Sequence, residues 1–66
     1  AMRIVLYTGT YLMVYNRKPK MNCIGTWVFR IKEENYWFED MTFADALKSA
    51  GRKAKELDVR QIELMP

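Results

Sequence analysis

The stretch TWVFRIKEENYWFED, residues 26–40, constrains the fold more than any other part of the chain. Apolar residues alternate on both sides of a polar KEEN segment, which reads as two antiparallel strands joined by a turn. Trp27, Phe29 and Ile31 share one side; Thr26, Val28, Arg30 and Lys32 share the other. Pairing Ile31 with Tyr36, Arg30 with Trp37 and Phe29 with Phe38 puts Trp27 on the side of Tyr36 and Phe38, and Trp37 on the opposite side. One tryptophan is expected to build the core, and the other is left over.

Residues 2–7 (MRIVLY) and 10–15 (TYLMVY) are rich in β-branched and aromatic types, and the intervening Thr8-Gly9 reads as a hairpin turn. With Gly9 left-handed in a three-residue loop, Leu6 pairs with Thr10 and Ile4 with Leu12. That register groups Ile4, Leu6, Leu12 and Val14 on one aliphatic face. A two-residue turn would instead set Tyr11 and Met13 beside Ile4, shapes that pack less readily under a helix. Segment 16–22 (NRKPKMN) breaks the pattern, because Pro19 lacks a ladder donor and the charges stay in water, so it is expected to be an exposed basic loop. Strand character resumes over 23–31 and returns over 36–39.

Thr42 reads as a helix N-cap, with Asp45 imitating a capping box and placing negative charge at the positive end of the dipole. Phe43, Ala46, Leu47, Ala50, Ala54 and Leu57 then recur at helical spacing. This stripe is mostly alanine, which lets the helix approach the sheet above Trp27 and Phe29. Gly51 costs about 1 kcal/mol relative to alanine inside a helix, so it predicts either a close approach or a local break. The tail VRQIELMP, residues 59–66, sets Ile62 and Leu64 against Gln61 and Glu63 and reads as a last strand. The expected architecture is α+β in the order β-β-β-β-α-β: an antiparallel sheet of three to four strands plus a C-terminal strand, with one helix packed on one face.

A chain of 66 residues admits one domain with a small core, here residues 2–66, and Ala1 ahead of Met2 reads as a cloning remnant. Such cores are usually supplemented by disulfides, a metal or a second subunit. One cysteine and no histidine remove an internal disulfide and disfavour zinc, which takes four ligands from Cys, His and carboxylates. No metal and no cofactor are expected, and Cys23, placed mid-strand, reads as structural. The second subunit remains. The apolar runs IVLY and YLMVY fall far short of the roughly 20 residues that span a bilayer, so no membrane partner is expected. The lack of a leader pattern and the single cysteine predict a cytoplasmic location. A net charge of +3 permits an anionic partner without demanding one.

The chain is expected not to be an enzyme. Histidine, the commonest base in nucleophilic catalysis, is absent, and Glu33-Glu34 and Glu39-Asp40 sit at a turn and a helix approach, where solvated carboxylates are ordinary. Gly9, Gly25 and Gly51 are too widely spaced for a phosphate loop. The outer sheet face, in contrast, gathers Arg3, Val5, Tyr11, Met13 and Tyr15 from the first hairpin and Val28, Arg30 and Trp37 from the second. A half-buried antiparallel sheet normally turns polar residues outward, and a contiguous apolar and aromatic patch marks an interface. Two functions compete for it. One is a protein-binding module, most simply a homodimer, using Val5, Tyr11, Met13, Tyr15, Val28, Arg30 and Trp37. The other is a nucleic-acid platform in which Trp37 stacks on bases while Arg3, Arg17, Lys18, Lys20 and Arg30 meet phosphates. Lys48, Arg52, Lys53 and Lys55 read as a solvated helix face that complements the dipole.

TWVFRI followed by YWFEDMTFADALKSAGRKA resembles the strand, strand and helix of AP2 and integrase N-terminal DNA-binding domains. That resemblance implies a three-stranded sheet, backed by a helix, that reads a nucleic-acid groove. TFADALKSA is equally similar to HicB-like antitoxin domains, which implies a self-associating sheet-plus-helix unit. Either covers about half of the chain. MRIVLYT carries only Arg3 where AP2 domains have an arginine-rich first strand, so no family site is carried over.

Overall fold

The chain turns its corners without glycine. Asn16, Lys32, Glu33, Asp40 and Asp58 all adopt left-handed backbone, and each stands where an element ends or bends. The computed structural model describes residues 3–66. Its elements are β1 (Val5–Tyr7), α1 (Gly9–Tyr15), β2 (Ile24–Ile31), β3 (Glu34–Thr42), α2 (Phe43–Glu56) and β4 (Gln61–Met65). The expected α+β class holds, but the sheet is mixed and two helices are present. Strand order is β1-β4-β2-β3, with β1 parallel to β4 and β2 antiparallel to both of its neighbours.

The central hairpin is tighter than its sequence implied. Ile31 pairs with Glu34 across a two-residue Lys32-Glu33 turn, and Phe29 pairs with Tyr36, Val28 with Trp37 and Trp27 with Phe38. Positive φ at both central residues, 50° and 68°, is the type I′ geometry whose twist matches a hairpin. The expected register is therefore wrong by two residues. A slip of two leaves every side chain on its assigned face, whereas a slip of one would have reversed them all. Trp27 is 8% exposed and Trp37 is 60% exposed, as the alternation requires. Farther along, Thr26 opposes both Glu39 and Asp40, a bulge that returns Met41 to the side of Phe38.

Segment 10–15 is a helix and not the second strand of a hairpin. The pairs Leu6–Thr10 and Ile4–Leu12 do not form, and Gly9 does not take positive φ. Instead β1 runs beside β4, Val5 opposite Gln61 and Tyr7 opposite Glu63. Helical spacing sets the Tyr11 ring 4.6 Å from that of Tyr15, tilted by 49°, and within 6.4 Å of the Trp27 ring, burying Tyr11. That burial outweighs the weak β preference of tyrosine and valine, whose propensities span about 1 kcal/mol. Left-handed Asn16 then ends α1, its N–H donating to the Leu12 carbonyl.

The second helix forms as its sequence predicts. Thr42 Oγ1 accepts the Asp45 N–H at 3.1 Å, and the Phe43 and Ala44 N–H groups donate to the carbonyls of Cys23 and Met21 at 3.2 and 2.9 Å. The basic loop thus docks on the helix start by its backbone while Arg17, Lys18 and Lys20 stay exposed. Cys23 lies before β2 rather than within it, and its side chain is exposed. Phe43, Ala46, Ala50 and Ala54 are buried, Leu47 and Leu57 partly so. The helix runs unbroken through Gly51, where an added methyl group would meet nothing within 4 Å, so neither a close approach nor a break explains this glycine.

Beneath the alanine stripe, Phe43 lies nearly parallel to Phe29 at 6.0 Å and tilts against Trp27 at 4.9 Å. Trp27 Nε1 donates to the Met41 carbonyl at 3.1 Å, so the indole is buried with its polar atom paired. Ile31, Ile62 and Leu64 complete the core. Among the described residues no helix is long and apolar enough to cross a membrane.

Candidate functional site

With α2 on one face of the sheet, the register determines what the other face presents. Residues opposite one another in the register stand on the same face, so Trp37, Val28 and Met65 form one row across β3, β2 and β4. The next row is Asn35, Arg30, Glu63 and Tyr7, spanning all four strands. Beyond it stand Gln61 and Val5. Strands lie about 4.8 Å apart, so the apolar row is about 10 Å long and borders a row carrying both charge signs. Tyr7 is 52% exposed and Val5 44%.

Helix α1 adds a wall to this face. Thr10 Oγ1 donates to Glu63 Oε2 at 2.9 Å, anchoring the helix over β4. Between them lies an open cleft of about 640 Å³, lined by Thr10 and Met13 from α1, Tyr7, Arg30 and Glu63 from the strands, and the Lys32-Glu33 turn. A smaller cleft of about 270 Å³ lies toward the other end, where Tyr15 and Arg17 meet Val28 and Met65.

The residues assigned from the sequence to this face and to the basic loop divide into four groups. Val5, Val28, Arg30 and Trp37 lie on the outer face as expected. Met13 and Tyr15 reach its border from α1 rather than from a strand; Met13 is 87% exposed and lines the larger cleft beside Arg30. Tyr11 is a correction: it belongs to the core against Trp27 and cannot serve an outer surface. Arg3, Arg17, Lys18 and Lys20 are exposed, but only Arg17 borders the Val28–Met65 row. Sequence reasoning missed Tyr7, Glu63 and Met65. The alternation that sent Leu6, Ile62 and Leu64 inward also sends these three outward; only the central position of β4 was needed to join them to the patch.

No polar or charged side chain is buried among the described residues, and none of their His, Cys, Asp and Glu side chains cluster in a group able to hold a metal ion. What the face offers is apolar area, one guanidinium and carboxylates within reach of it. Compared with known protein families, curated proteins and solved structures, the chain matches none.

Proposed function

We propose that this protein is a non-enzymatic interaction module that pairs with a second copy of itself through the outer face of its sheet. The observation that carries the proposal is the Trp37–Val28–Met65 row, an apolar strip on the sheet face opposite α2, bordered by α1 only at its β4 end. A two-fold interface must be complementary to itself, and this face can be, because Arg30 stands directly opposite Glu63 on the neighbouring strand, so that the face carries both charge signs side by side. Turned by 180°, the guanidinium of one copy meets a carboxylate of the other. Surface area supports the same reading. A monomer of 7.9 kDa is expected to expose about 4,400 Å², and this one exposes 4897 Å². The excess is a substantial part of the roughly 800 Å² that one side of a standard interface buries.

Nucleic acid is the competing partner, favoured by exposed Arg17, Lys18 and Lys20. Against it, Glu39 and Glu63 share the face with Trp37 and Arg30 and would repel the phosphates that stacking brings near. Light scattering coupled to size exclusion tests the proposal, with the Trp37→Lys, Val28→Lys double variant as control. A dimeric wild type and a folded monomeric variant support it; a wild type that stays monomeric up to millimolar concentration refutes it. Salt-sensitive nucleic-acid binding that disappears when Arg17, Lys18 and Lys20 are neutralised assigns the function to the competing partner.

A further inference from the structure

We infer a second interaction surface: the free edge of β3 takes up an extended, cationic segment of another protein as a fifth strand. Strand β3 is nine residues long and pairs only with β2, so its far edge carries an unused row of backbone donors and acceptors. The two-residue turn determines which groups these are. Ile31 and Glu34 close a type I′ hairpin and exchange both hydrogen bonds, after which bonded and non-bonded pairs alternate. Tyr36 and Phe38 therefore bond to β2, and the N–H and C=O groups of Asn35 and Trp37 point away from the sheet. The bulge at Glu39-Asp40 interrupts the ladder only beyond this stretch, leaving residues 34–38 regular over about 17 Å.

The charge on this edge selects the occupant. Glu33, Glu34, Glu39 and Asp40 bracket the regular stretch, with Lys32 the single cation among residues 31–40. Among the described residues the one ion pair joins Lys53 to Glu56 on α2, so none of the four carboxylates is neutralised by a salt bridge. Such charges are a common defence of edges against self-pairing. Here the defence is selective. Two copies of β3 paired antiparallel about Tyr36 would set Glu33 of one against Glu39 of the other, a like-charge contact that Lys32 against Asp40 only offsets, whereas lysines or arginines along a partner strand meet carboxylates at Glu33, Glu39 and Asp40 alike. Backbone pairing supplies affinity and the acidic bracket supplies the choice of sign. This surface uses backbone groups of β3 and the carboxylates beside them, whereas the dimer face rests on the side chains of Trp37, Val28 and Met65; the two meet at Trp37 but rest on different groups of it.

The test uses a nine-residue peptide that alternates lysine and valine, with a glutamate-for-lysine peptide as control, and amide hydrogen exchange read residue by residue. Only the cationic peptide should bind, slowing exchange at the Asn35 and Trp37 amides at least about tenfold. Asn35→Pro removes an outward donor and no bond to β2, and should abolish binding in a protein whose circular dichroism is unchanged. Should that variant unfold, the Glu34→Gln, Glu39→Gln, Asp40→Asn triple variant decides, with affinity expected to fall about tenfold. The Val28→Lys, Met65→Lys variant, which charges the dimer face on β2 and β4 and leaves β3 untouched, should still bind. Unchanged exchange at Asn35 and Trp37, equal binding of the acidic peptide, or full affinity in the charge-neutralised variant would overturn the inference. Protection of these amides by protein concentration alone would overturn it too, by assigning the edge to a second copy.

Discussion

Removing one tryptophan should nearly unfold the protein, while removing the other should hardly be felt. The Trp27 ring is 8% exposed, lies against Phe43 and Tyr11, and hydrogen-bonds the Met41 carbonyl through Nε1. Truncating a buried aromatic to alanine costs about 3–5 kcal/mol, and loss of the half-buried bond to the Met41 carbonyl adds up to about 1 kcal/mol. Total stability for a chain of this length is about 3–10 kcal/mol. Trp27→Ala should therefore consume most or all of it, and Trp27→Phe, which keeps a ring and loses the N–H, should cost about 1–3 kcal/mol. Trp37 is 60% exposed, so in the dilute monomer Trp37→Ala should cost about 0.5 kcal/mol or less. Urea denaturation followed by circular dichroism measures both. Each single variant also leaves one indole for acrylamide quenching. At low concentration the remaining Trp27 should resist quenching, and the remaining Trp37 should be quenched nearly as in water. Equal destabilisation by the two alanine variants, or a dilute monomer in which Trp37 resists quenching, would refute the two-face assignment.

Two further predictions concern backbone choices. Lys32→Asn with Glu33→Gly should stabilise the protein by about 1 kcal/mol, because left-handed backbone costs about 1–2 kcal/mol at ordinary residues, less the entropic cost of glycine. In a thermal melt this appears as a rise of about 4–8 °C; no rise means the turn is not strained. Gly51→Ala should add about 0.5–1 kcal/mol, since the helix passes through this site unbroken and the new methyl group meets nothing within 4 Å. A destabilised Gly51→Ala in urea would reveal a neighbour that the geometry does not contain.

The candidate site was legible where alternation governs it. Val28, Arg30 and Trp37 were placed on the outer face from period-two spacing alone, and an error of two residues in the turn could not move them. Tyr11 and Met13 were misplaced together, because TYLMVY satisfies a strand pattern and its helical alternative becomes visible only when Trp27 offers Tyr11 a place in the core. The free edge of β3 lay outside sequence reasoning for a different reason. Which strand ends a sheet depends on where the others insert, and β4 enters between β1 and β2 only after α2 has crossed the sheet.

Local chemistry alone therefore determined the α2 cap at Thr42, its alanine stripe, the β2–β3 hairpin and the separate roles of the two tryptophans. These follow from the helical and strand periods and from short-range hydrogen bonds, which act over a few residues and are present in any fold the chain adopts. The tertiary structure alone decided that segment 10–15 coils, that β1 runs parallel to β4, and that β3 is left with an open edge. Each of those outcomes is a competition between distant segments for one sheet edge or one place in the core. Burial in the assembled core settles such competitions, because intrinsic strand and helix preferences differ by only about 1 kcal/mol while a buried aromatic ring is worth several.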